Sequence, residues 1–141
     1  MPIFDRFGEL ISDVQTESSG CDRKTLEAID LSLAKLPHGS FVGADLYWVT
    51  FFDADLSASN FSHAAMHGVD LKDADCRGAN FSSARFLPDL LGLPCELQGT
   101  NLTEAVLEGV EFICATYDSR TKWPASFDPR QHVGLRKVSK N

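Results

Sequence analysis

Large apolar residues recur at every fifth position along most of this chain. They stand at Leu31, Leu36, Phe41, Leu46, Phe51, Leu56, Phe61, Met66, Leu71, Cys76, Phe81, Phe86 and Leu91. After a slip of one residue they resume at Leu97, Leu102, Leu107, Phe112 and Tyr117. Two places before most of these seats comes a small residue: Ala34, Gly39, Ala44, Ala54, Ser59, Ala64, Ala74, Ala79, Ala84, Ala105 or Ala115. Asp or Asn often lies between the two, as in GADLYW, DADLSA and GANFSS. A step of five residues advances about 500° around an α-helix, so these seats would wander around it instead of forming a stripe. On one flat strand, odd spacing would send alternate seats to opposite faces. The pattern can be buried throughout only if the chain turns after each short segment and returns the large residue and its small companion inward. That is a solenoid coil, whose repeats gain a core by stacking on their neighbours.

The repeated Ala-Asp-Leu-x-x unit resembles the pentapeptide repeat family over roughly residues 29–117. The resemblance implies an all-β fold, a right-handed quadrilateral β-helix with four five-residue faces per coil. Residues twenty apart should then stack. Phe41, Phe61, Phe81 and Leu102 make one expected column, and Leu31, Phe51, Leu71 and Leu91 a second. Leu46, Met66, Phe86 and Leu107 make the third, and Leu36, Leu56, Cys76 and Leu97 the fourth. Slightly under five coils at about 4.8 Å each give a rod on the order of 20 Å long. The short polar side chains at Asn60, Asn80 and Asn101 suit turn chemistry, bonding nearby backbone groups.

The repeat divides the chain into an N-terminal cap at 1–28, the β-helix at 29–117, and a C-terminal cap and tail at 118–141. In the first part Ile3, Phe4, Phe7, Leu10, Ile11 and Val14 follow near-helical spacing, which predicts a short amphipathic helix. Asp22 is placed to cap a second short helix through Lys24, Leu26 and Ala28. In the last part Tyr117, Asp118, Thr121, Trp123, Pro124, Phe127, Asp128 and Pro129 match the ending that closes many members of the family it resembles. The tail after Gln131, with Arg136, Lys137 and Lys140, is expected to be loose. Between Phe86 and Leu97, Pro88, Gly92 and Pro94 interrupt the repeat, and a bulge with one extra residue is expected.

Composition narrows the function. At 141 residues one domain is expected. Twenty acidic residues against 13 Lys plus Arg give a net charge of −7, which disfavours nucleic acid as a partner. No apolar run approaches the roughly 18 residues of a membrane span, and the charged first residues do not resemble a secretory leader, so a cytoplasmic address is expected. Cys21, Cys76, Cys95 and Cys114 lack CxxC pairing and are expected to be free thiols. His63 and His67 would face one another only on an α-helix. No metal site, cofactor or catalytic constellation is expected, and the chain is read as a non-enzyme.

Outward positions carry the functional signal. Stacking by twenty puts Tyr47, His67 and Leu87 in one outward column, with Trp48 beside it and Phe52 on the neighbouring face. An aromatic cluster where polar residues belong is interface-like. Three readings compete: a protein partner binds it, the N-terminal helix folds over it, or its exposure is incidental. The leading function is a non-enzymatic protein-interaction or scaffold module with an unidentified protein partner. The alternative comes from the resemblance alone: some family members mimic a DNA duplex and modulate type II topoisomerases. Asp55, Asp75 and Glu96 in one column, and Asp30, Asp70 and Glu111 in another, would supply the acidic surface. The chain is shorter than those rods and has a closing cap at its end.

Overall fold

The computed structural model describes residues 2–4, 10–13 and 25–139. Its strands are β1 (Pro2–Phe4), β2 (Leu10–Asp13), β3 (Thr25–Glu27), β4 (Asp45–Tyr47), β5 (Ala65–His67), β6 (Arg85–Leu87), β7 (Cys95–Glu96), β8 (Glu111–Phe112), β9 (Ala115–Tyr117) and β10 (Leu135–Lys137). From β3 onward the chain is a parallel β-solenoid. Strands β3, β4, β5, β6 and β8 stack in that order on one face, and β7, β9 and β10 on another. Single parallel bridges such as Lys35↔Asp55↔Asp75 and Ser40↔Asn60↔Asn80 join the coils on the remaining faces.

The repeat sets this geometry one turn at a time. From Ala28 to Ser83 every fifth residue has positive φ, whether it is Leu33, His38, Asp53 or Gly78. On three faces the turn closes with a bond three residues back, as from the Ala34 N–H to the Leu31 carbonyl at 3.1 Å. A positive φ at the third residue with this bond makes a type II turn. The preceding Asp or Asn locks it: Asp30, Asp55, Asn60, Asp70, Asp75, Asn80 and Asn101 each accept the N–H two residues on. On the strand-bearing face Leu46 and Val49 make no such bond, and the wider corner there admits buried Val49 and Val69 in place of alanine.

Inside, Phe41 and Phe61 stack at 4.6 Å and Phe61 and Phe81 at 5.0 Å. The columns hold as expected as far as Phe86, then change. Phe86 pairs with Phe112, twenty-six residues on, and Asp70 with Glu96. The interruption therefore carries six extra residues where one was expected, a whole repeat plus one. Leu71 lies under Leu97, Cys76 under Leu102 and Phe81 under Leu107 in this register, each one face away from the expected column. Leu91 is not a core seat at all; it is 80% exposed.

The expected N-terminal helices are not found. Strands β1 and β2 pair antiparallel, Ile3 opposite Ser12 and Phe4 opposite Leu10, and Thr25–Glu27 is the first strand of the solenoid. An isolated helix this short is marginal in water, so the segment's structure is set by what it pairs with. Residues 5–9 and 14–24, including Phe7, Val14 and Asp22, lie outside the described residues.

At the other end Trp123 packs edge-on to Tyr117 at 5.4 Å and stacks on Phe127 at 4.8 Å, which stacks on His132 at 4.7 Å. The tail is not loose here: β10 pairs with β9, Leu135 is buried, and a Cβ on Gly134 would strike the Phe112 carbonyl. A glycine lets the returning chain approach that closely. The tallest face thereby reaches six rungs, Asp30, Thr50, Asp70, Glu96, Thr116 and Arg136, one more than the repeat alone implied.

Candidate interaction surface

Strands β4, β5 and β6 bury Leu46, Met66 and Phe86, so the next residue on each points outward. Tyr47, His67 and Leu87 are thus in register, half-buried, with the Tyr47 and His67 rings stacked 4.1 Å apart and 4° from parallel. Trp48 follows at φ 53°, a conformation disfavoured for bulky side chains, and its ring meets Tyr47 edge-on at 6.2 Å. Trp48 is 36% exposed and Phe52, around the corner, 41%. Of the five residues expected from the sequence, Tyr47, His67 and Leu87 form a half-buried stripe with exposed Trp48 against it, and Phe52 is exposed on the neighbouring face.

The sequence reading missed the loop beside them. Asp89 anchors it: one carboxylate oxygen accepts the N–H groups of Leu91 and Leu93, each at 2.8 Å, and the other accepts the Trp48 indole N–H at 2.9 Å. Desolvation opposes its charge, but these three donors together outweigh it and hold the Asp89 carboxyl below the usual range. Asp89 also fills the space where a Cβ on Gly68 would stand. Leu90 and Leu91 are 80% exposed and Leu93 56%. The signal was present in LPDLLGLPCEL, where leucines crowd together off the five-residue beat.

Two hollows among the described residues gather polar side chains. Asp45, His63 and Ser83 line a hollow of about 270 Å³ with Arg85, yet no hydrogen bond joins their side chains, as a nucleophile and its base would require. Another of about 240 Å³ lies between Tyr117, Trp123, Arg130 and Lys137, where Asp128 already holds Arg130. Cys76 and Cys95 are buried; burial pushes the Cys76 thiol far up and that of Cys95 to about 12. Among the described residues no group of three or more His, Cys, Asp or Glu could hold a metal, and no helix is long and apolar enough to cross a membrane.

The acidic columns also differ from expectation. Glu96 joins Asp30 and Asp70, not Asp55 and Asp75, and Glu111 stands over Arg85. Lys72 bridges Glu96 at 3.3 Å and Asp70 at 3.7 Å, and Arg77 grips Asp75 at 2.7 Å. Both columns are therefore interrupted by cations.

The family model for pentapeptide repeats matches residues 50–86, in eight copies. A pentapeptide repeat protein from the Arabidopsis thaliana thylakoid lumen is 27% identical, with a TM-score of 0.53 over 68% of this chain and 66% of that one. A pentapeptide repeat protein from Nostoc PCC 7120 is 26% identical, covering 82% of this chain and 86% of that one at a TM-score of 0.43. QnrB1, a plasmid-mediated fluoroquinolone resistance protein, is 15% identical over 84% of this chain and 86% of that one, at a TM-score of 0.35. Among curated proteins none matches.

Proposed function

Because this chain is a pentapeptide-repeat protein, its solenoid a frame for outward side chains, we propose that it works as a non-enzymatic protein-interaction module. The recognition surface in this reading is Tyr47, Trp48, Phe52, His67 and Leu87. The right-handed, four-sided winding implied by the family resemblance belongs to the same reading. One observation carries it: Trp48 is exposed yet fixed, its backbone held at positive φ and its indole tied to Asp89. An aromatic ring fixed before binding loses little freedom on contact, the property of an interface anchor. The duplex-mimic alternative loses support from the interrupted acidic columns.

The test pairs two measurements on Trp48→Ala. Truncating a partly exposed side chain with one hydrogen bond should cost about 1 kcal/mol of unfolding free energy. A lost binding anchor costs about 2 kcal/mol or more, at least thirtyfold in affinity. Near-native stability with lost partner capture supports the module. A stability loss of several kcal/mol with unchanged capture sinks it.

A further inference from the structure

We infer that the 88–93 loop and the aromatic stripe together seat an amphipathic helix of a partner protein whose apolar face is flanked by Lys or Arg. This rests on the interaction reading above. Six residues leave a wall that otherwise advances without interruption, and they return three leucines to water, not to the core. The loop is nonetheless built: Asp89 holds Leu91, Leu93 and Trp48 at once, the Asp89 N–H donates to the Leu93 carbonyl at 2.9 Å, and prolines 88 and 94 bracket it. Ordered, exposed leucines of this kind mark an interaction surface.

The shape selects the occupant. Tyr47, His67 and Leu87 run up the face of the sheet, and exposed Ile113 continues it just past β8, its N–H donating to the Phe86 carbonyl at 2.9 Å. Four rungs at about 4.8 Å make a floor roughly 15 Å long, the length of about ten helical residues. The anchored loop stands beside it as a wall. Strands β4, β5 and β6 each have a ladder neighbour on both sides, so a partner strand finds no free backbone edge. Only side chains can make the contact, as when the apolar stripe of a helix lies in a groove.

Charge selects the flanks. The chain carries −7, and Asp45 and Glu111 stand on the strands that carry the stripe. Of the nearby cations, Lys72 is already shared by Asp70 and Glu96, Arg85 stands under Glu111, and Arg136 borders a hollow with Ile113 at the upper end; the acidic excess of the chain as a whole outweighs them. Complementarity therefore favours a basic partner and disfavours an anionic bilayer.

Display of a library of fourteen-residue amphipathic helices with randomised flanks, selected on the full chain, tests the inference. Enriched helices should carry Lys or Arg flanks. Their affinity should fall at least tenfold on a Leu90→Asp, Leu91→Asp protein, whose melting should match wild type because both side chains are exposed. Neutral or acidic winners, or winners indifferent to the loop, overturn it. So does cosedimentation with anionic vesicles, or a dimer in analytical ultracentrifugation that the double variant dissolves. If winners ignore the loop while Trp48→Ala still abolishes partner capture, the helix falls and the module stands. If Trp48→Ala retains capture, the module itself fails.

Discussion

The residue that bears most of the packing argument is Phe61. Its ring lies between those of Phe41 and Phe81, 4.6 and 5.0 Å away and nearly parallel to both, and it is fully buried. Phe61→Ala would open a cavity in the middle of a stack whose neighbours are held by ladders on both sides, so little collapse is possible. The expected loss is roughly 3–5 kcal/mol in denaturant melts; under 1 kcal/mol would contradict the stack. Phe61 was readable as buried because one inward seat per five residues is a burial requirement that composition must satisfy. The left-handed corners were not readable. Leu33, His38 and Trp48 adopt positive φ although glycine would do so more easily, because the ladder and the turn bond impose the conformation.

Among the elements, the 88–93 loop shows what a period can and cannot reveal. An insertion of one residue and an insertion of six leave the same phase in a five-residue pattern. Leu91 fits the beat while standing in solvent, and every column above it was therefore assigned one face away. Whole repeats that leave the wall are invisible to phase; the ladder partners Phe86 and Phe112 reveal them. The stripe below the loop was legible because Tyr47, His67 and Leu87 precede the insertion. The loop's anchor has a predictable pH response. The Asp89 carboxyl is held below its ordinary value, so its contribution is present above about pH 3.9, the unfolded value. It is lost as pH falls through the lower folded value. The Trp48 indole and Leu93 amide proton signals should titrate together with a midpoint below about 3.9. A midpoint above that value would show that the three hydrogen bonds do not favour the charged carboxylate.

For the whole molecule, stability in a stack of coils is close to a sum of nearest-neighbour terms, and the ends decide whether it stays a closed unit. The carboxyl end is closed twice. Trp123, Phe127 and His132 cover the last coil with stacked rings, and beyond them β10 returns to pair with β9. This second closure was expected to be a loose tail, because Leu135 has only Val133 and Val138 for apolar neighbours among basic and polar residues and no five-residue beat leads to it. Its burial depends on Gly134, which lets the backbone pass over the Phe112 carbonyl. Ending the chain after His132 keeps the aromatic cap and removes only β10. The lost terms are the burial of Leu135, about 1.5–3 kcal/mol, and the ladder bonds to β9, about 1 kcal/mol each. Ordering the tail offsets part of these. The expected net loss is therefore about 2–4 kcal/mol, with the β signal in far-ultraviolet spectra retained because each remaining coil keeps its neighbour. The newly bared edge of β9 should also favour self-association, which the Arg136 and Lys137 side chains on β10 now discourage. Denaturant melts and sedimentation on the shortened chain check both halves. Stability within about 0.5 kcal/mol of the full chain would mean that β10 is not a rung of the solenoid.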